Sequence, residues 1–173
     1  MENNALERKD LHFCTLRIVV FTTISIFTAI IALNRGSLSF SRNVVLVLTA
    51  IWPLLALTHA RLSPNPRSAE HSNLLVDPCI CGLWIPISLF HPWVTIISLS
   101  VALLELMYTG GWKELLRNSV LFGVGLLASG LTFGFVIRFE SQPAEALLAA
   151  GVLFLSVRAY ASILSEAYLQ TKV

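Results

Sequence analysis

Six apolar blocks separated by short polar breaks organise the 173-residue chain. They cover residues 16–33, 43–60, 74–90, 93–108, 115–137 and 144–164. Asn34-Arg35-Gly36-Ser37 closes the first, His91-Pro92 the third and Gly110-Gly111 the fourth. A helix needs about 20 apolar residues to cross a hydrocarbon core of about 30 Å. The pattern predicts an all-α fold: one polytopic transmembrane bundle of about six spans, with no room for a second domain. The third and fourth blocks are short, and two arrangements fit them. They form either a hairpin of two spans whose His91-Pro92 tip lies near the far interface, or one re-entrant pair. Trp93 and the His-Pro tip suit an interface and favour two spans. Residues 165–173 are a polar tail.

Composition supports membrane spans over an oily soluble core. Hydrophobic residues make up 55% of the chain and charged residues 13%, about half the charged share of an average soluble domain. Mean hydropathy is +0.75. Charge distribution sets the orientation. With the N-terminus inside, the inner segments hold Arg8, Lys9, Arg17, Arg61, Arg67, Lys113, Arg117 and Lys172, against Arg35, Arg42 and Arg138 outside. The positive-inside rule then puts both termini in the cytoplasm, as an even span count requires. Net charge is only +2 and the cations are dispersed, so no nucleic-acid footprint is read. Glu2, Glu7 and Asp10 dilute Arg8 and Lys9, and no small-residue cleavage pattern follows, so the first block reads as a retained span. Cys14, Cys79 and Cys81 are odd in number and sit in or beside apolar segments, which reads as packing and not as a disulfide framework.

Three groups of residues carry candidate chemistry. The longest polar stretch, residues 61–77, holds Arg61, Arg67, Glu70, Asn73 and Asp77. One reading is a surface turn with a capped helix entrance. The other is a cytoplasmic clasp, in which Glu70 and Asp77 bond to Arg61, Arg67 or the backbone of neighbouring helices. Asp77 lies either inside the third helix or just before one that starts at Pro78. Glu105 is a carboxylate in an apolar run, where charge is costly and faces a bundle interior. It binds a proton or a cationic ligand group, reaches the interface, or pairs with Lys113. Arg158 either snorkels to the inner headgroups or pairs with Glu105. In the fifth block Ser119, Gly123, Gly130 and Gly134 share one face that admits close helix packing, within the chain or across a dimer. His59, His71 and His91 lack zinc-type spacing. No catalytic, metal or cofactor set is read, and none is expected.

The run Trp52-Pro53-Leu-Leu-Ala56, then Asn65-Pro66, Glu70, Asn73-Leu74-Leu75-x-Asp77, Gly82-x-Trp84 and Gly110-Gly111-Trp112 resembles the second membrane-associated sensor family. This is the multi-helix N-terminal module of bacterial GGDEF-type diguanylate cyclases and class III adenylate cyclases. The ordered pattern covers about residues 52–112, and the layout of spans is similar over nearly the whole chain. The region after Tyr160 resembles the helix that leads to the catalytic domain. There are departures. The family often has an amide where this chain has Glu105, and usually Asp-Pro where it has Asn65-Pro66. No Gly-Gly-Asp-Glu-Phe signature is present, so the sequence is either a fragment of a longer cyclase or a stand-alone version.

The resemblance implies a sensory module of the bacterial inner membrane, without catalytic activity in this chain. Its partners would be the bilayer, a second copy, and a cyclase output domain in cis or in trans reached through the last helix. Two rivals are a small transporter or proton-coupled permease using Glu105 and Arg158, and a structural subunit docking through the glycine face. The scarcity of polar residues in the other spans counts against transport.

Overall fold

The computed structural model describes the backbone of residues 2–36, 39–109, 112–138 and 140–170. Within these, side chains are described from Arg17 onward, except 66–67, 105–109, 159–160 and 162–170. The described residues form seven helices and no strand: α1 (Glu2–Asn34), α2 (Phe40–Leu62), α3 (Pro66–Leu74), α4 (Val76–Ile87), α5 (Pro92–Thr109), α6 (Trp112–Phe133) and α7 (Pro143–Gln170). Three stretches among the described residues are long and apolar enough to cross a membrane: Arg17–Asn34, Phe40–Leu62 and Trp112–Phe133.

Local chemistry explains the boundaries. Gly36 ends α1 with φ +59° and its N–H on the Leu33 carbonyl (3.0 Å), a left-handed stop that glycine adopts without strain. Ser39 caps α2 by accepting from the Arg42 N–H, and His59 and Arg61 complement the dipole in its last turn. Asn65 caps α3, with Pro66 at its first position. The polar stretch therefore forms a nine-residue helix, with the chain turning at Leu75 into α4. Asp77 and Pro78 both lie in the first turn of α4, which resolves the two placements open in the sequence.

Helix α4 is the hub. Its twelve residues span about 18 Å, and nine are buried. Trp84 is fully enclosed, its ring tilted against Phe21 of α1 at 5.3 Å between centroids, with its indole N–H donating to Thr49 of α2 (3.0 Å). Ile24 and Ile31 of α1, Val94, Ile97 and Val101 of α5, and Ala149 and Val152 of α7 complete the core. The crossing of α4 with α6 is close because it runs over two glycines. A Cβ on Gly82 would overlap the Phe122 carbonyl, and one on Gly125 the Cys79 carbonyl. Ser129 adds a hydrogen bond to the Leu83 carbonyl (2.9 Å).

Helix α6 stops at Phe133, four residues before the apolar block 115–137 ends. Gly134 takes φ +89°, and the chain doubles back so that the Arg138 N–H reaches the Leu89 carbonyl (3.1 Å). On the partner side of that bond, Leu89 and Phe90 both adopt left-handed conformations (φ 58° and 55°). Bulky residues rarely do so. Here Leu89 is buried and Phe90 packs against Phe135 at 6.1 Å, so the surroundings hold the turn.

Candidate functional site

The densest polar cluster lies where α1, α2, α3 and α4 meet. Helix α1 supplies Arg17, α2 Trp52 and His59 two turns apart, α3 Glu70 and Asn73 at helical spacing, and α4 Asp77. Arg17 is 2% exposed, yet its guanidinium contacts three partners. Nη1 donates to Glu70 Oε1 (3.0 Å), and Nη2 to the Asn73 carbonyl (3.0 Å) and to Asp77 Oδ1. The Trp52 indole N–H donates to the same Asp77 oxygen (2.8 Å), and the guanidinium lies 6.0 Å from the Trp52 ring centroid.

Asn73 knits α2 to α3. Its Nδ2 donates to the Ala56 carbonyl (2.9 Å) and to Glu70 Oε2 (3.3 Å), while Oδ1 faces His59 Nδ1 at 2.9 Å. The amide oxygen can only accept, so His59 carries a proton on Nδ1. One cation thus sits between two carboxylates, and buried charge of this kind persists only when paired and hydrogen-bonded. The arrangement makes a lock between four helices. It holds no nucleophile beside a base, and among the described residues no group of three or more His, Cys, Asp or Glu is placed to hold a metal.

The sequence singled out Glu70, Asn73 and Asp77, and the structure brings these three together. It also proposed Arg61 or Arg67 as the cation. Arg61 is exposed at the end of α2, and the Arg67 side chain lies outside the described residues. The cation is Arg17, 53 residues before Glu70 and 60 before Asp77. Sequence reasoning missed it because a cation near the start of an apolar block looks like an interfacial anchor. Trp52 and His59 were likewise unassigned. The Glu105 side chain lies outside the described residues, and Arg158 is exposed on α7. The glycine face also differs. Gly123 meets nothing within 4 Å, Gly130 receives the Phe135 ring, and Gly134 lies past the helix end.

A second polar cluster lies at the other end of the bundle. Arg35, after α1, donates to the carbonyls of Arg138 (2.9 Å) and Glu140. Arg42 donates to the Phe133 carbonyl (3.1 Å) and lies 5.5 Å over the Phe133 ring. His91, fully buried, pairs through Nε2 with Glu145 Oε2 (3.0 Å), and that oxygen also accepts the Gln142 N–H (2.8 Å). Trp93 donates to Ser141 (3.1 Å). Burial lowers the His91 pKa, its hydrogen bond to Glu145 opposes that shift, and the Arg35 charge lowers it further. A cavity of about 300 Å³ opens here between Asn34, Arg35, Arg138, Glu140 and Glu145.

Comparison with known proteins gives this architecture its relatives. Residues 13–100 match the MASE2 domain, which takes in α1 from residue 13 onward, α2 to α4, the first half of α5 and every residue of the clasp. The probable diguanylate cyclase DgcC of Escherichia coli strain K12 is 30% identical over 95 residues, 55% of this chain and 26% of that protein. The DgcC of Escherichia coli O6:H1 strain CFT073 matches to the same extent. The alignment thus covers about a quarter of the length of these relatives. No solved structure matches the chain. The chain belongs to the MASE2 domain family, the membrane-associated sensor domains of diguanylate cyclases.

Proposed function

We propose that this chain is a membrane-embedded sensory module of the bacterial inner membrane, passing a ligand or membrane cue through α7 to a cytoplasmic cyclase domain. In this reading the helices make six passes with both termini in the cytoplasm, α3 lies at the cytoplasmic face and α4 is the short third pass. The module works as a homodimer, because a diguanylate cyclase joins two nucleotides and needs two catalytic chains brought together. The output domain is supplied in cis or in trans.

The observation that carries the reading is how unevenly the helices are tied. The clasp fastens α1, α2, α3 and α4 into one block. Helix α7 contributes no described side chain to it. It packs on α1 and α5, with a polar tether, His91 to Glu145, at its first turn. A helix packed on a locked block without entering its polar lock can take two packings, and a cue with different affinity for the two shifts the balance. The test is to join α7 in frame to a diguanylate cyclase domain and measure cyclic dinucleotide formation in membranes. Glu70→Ala and Asp77→Ala should each shift output away from wild type. Wild-type output and wild-type stability in both variants would remove the clasp from the mechanism.

A further inference from the structure

The cavity of about 300 Å³ at the Arg35 end is polar throughout, lined by Asn34, Arg35, Arg138, Glu140, Ser141, Gln142 and Glu145. It sits between the end of α1, the α6–α7 connection and the first turn of α7. Arg35 builds its wall, since both terminal nitrogens of the guanidinium donate to carbonyls of that connection, at Arg138 and Glu140. Most of the rim is exposed to water, but Glu145 is only 6% exposed. Its Oε2 is taken by His91 and by the Gln142 N–H. Its Oε1 has no partner among the described residues, yet it is not sealed from solvent, so it opens on the cavity that Glu145 lines. Two guanidiniums and two carboxylates share this lining, and among the described residues no two of the four form an ion pair with each other.

We infer that this cavity is a binding site for a small amino-acid-like zwitterion, with its ammonium on Glu145 and its carboxylate on Arg138. Each term has its own ground. The open oxygen of Glu145 only accepts, so its partner must donate, as a primary ammonium does. The Arg138 side chain is exposed and uncommitted among the described residues, and a guanidinium fork matches a carboxylate. A simple cation would face two guanidiniums and a simple anion two carboxylates, so like charge selects against both. A neutral polyol reaches the same groups but brings no charge to pair with theirs. At a share of about 30 Å³ per water, the volume suits about ten non-hydrogen atoms, the size of an amino acid with a short polar side chain. Asn34, Ser141 and Gln142 supply donors and acceptors for that side chain. Arg35 already ties the wall together, which lowers the ordering cost of binding.

The test uses the whole chain in nanodiscs, with protein-free nanodiscs as the control. The common amino acids are screened by ligand-observed NMR. The tightest is then compared with its N-acetyl form, which lacks the ammonium, and with its amide, which lacks the carboxylate. Wild type should bind at least one amino acid with a Kd in the millimolar range or below, and each blocked form at least about tenfold more weakly, the worth of one charged hydrogen bond. Glu145→Gln should lose the preference over the N-acetyl form, and Arg138→Gln the preference over the amide. Arg138 is exposed, so its variant tests the site even where Glu145→Gln unfolds the bundle. No binding of any amino acid would overturn the assignment, and so would blocked forms that bind as well as the parent. A preference that survives in its own variant would do the same. A bound molecule would join the end of α1 to the first turn of α7, and its role as the sensed cue rests on the sensor reading. In the cyclase fusion, amino-acid binding without change of output would leave the site standing and remove that role.

Discussion

At the scale of single residues, the clasp and the opposite-end pair make distinct demands. Removing Arg17 leaves the fully buried Asp77 carboxylate and the part-buried Glu70 carboxylate without their shared cation. Removing the Asp77 charge leaves Arg17 still paired with Glu70 (3.0 Å) and still bonded to the Asn73 carbonyl. Breaking a buried pair from one side costs about 3–5 kcal/mol. Arg17→Met should therefore lose about that much stability in detergent unfolding, and Asp77→Asn clearly less. Equal losses would show that the carboxylates do not depend on Arg17. His91 gives a pH dependence whose sign follows from its lowered pKa. Its folded value lies below its unfolded one, so the neutral form favours folding. Its contribution is complete above the ordinary histidine value near 6.5 and is lost as pH falls through that range to the folded value. The unfolding temperature should drop between pH 7 and pH 5. His91→Gln, whose amide can still donate to Glu145, should flatten that slope. The acidic half of the clasp was legible in the sequence because Glu70, Asn73 and Asp77 fall in the longest polar stretch, at a capped helix entrance. Arg17 was not, because its depth depends on tertiary packing that brings α3 against the start of the apolar part of α1.

At the scale of helices, the informative comparison is between glycines that look alike in sequence. Spacing picked out Gly123, Gly130 and Gly134 as one face, which presumes a continuous helix and a neighbour on that side. The helix ends at Phe133, and α4 approaches the side that carries Gly125 and Ser129. Gly82 was noted only within the family pattern, because the Phe122 backbone it packs on lies 40 residues away. Overpacking at a tight crossing costs about 1–3 kcal/mol. Gly82→Ala and Gly125→Ala should each destabilise the bundle by at least that amount, since the added Cβ would meet backbone that cannot move aside. Gly123→Ala meets open space and should be neutral or gain up to about 1 kcal/mol from helix propensity. Thermal unfolding of the three variants in one detergent separates these outcomes. A weaker dimer in Gly123→Ala, with monomer stability unchanged, would place that open face in the contact between copies.

For the whole molecule, the two polar clusters mark the two ends of the bundle. Arg17 and Arg35 anchor the two ends on one helix, eighteen residues and so about 27 Å apart, close to the roughly 30 Å of a hydrocarbon core. Contacts then sort the remaining helix ends. Residues 59, 70, 73 and 77 gather round Arg17, while residues 42, 89, 91, 133, 138 and 145 gather at the Arg35 end. Successive long helices must therefore alternate in direction, with α3 as a short segment at the Arg17 end. The apolar blocks made this alternation legible in outline. They could not show that α4 is enclosed by its neighbours, because block length alone does not separate a buried short helix from a lipid-facing span. Exposed leucines and valines along α2, among them Val47, Leu48, Leu54 and Leu55, mark a face suited to acyl chains. If the Arg17 end is cytoplasmic, single cysteines at Ser63 and Asn65 in a cysteine-free background should react with an impermeant maleimide only in inverted vesicles. Cysteines at Ser41 and Gln142 should react only in right-side-out vesicles. Labelling of Ser63 and Gln142 from the same side would break the six-pass arrangement. The reverse assignment of both pairs would keep the bundle and turn it over, placing the clasp away from any cytoplasmic output.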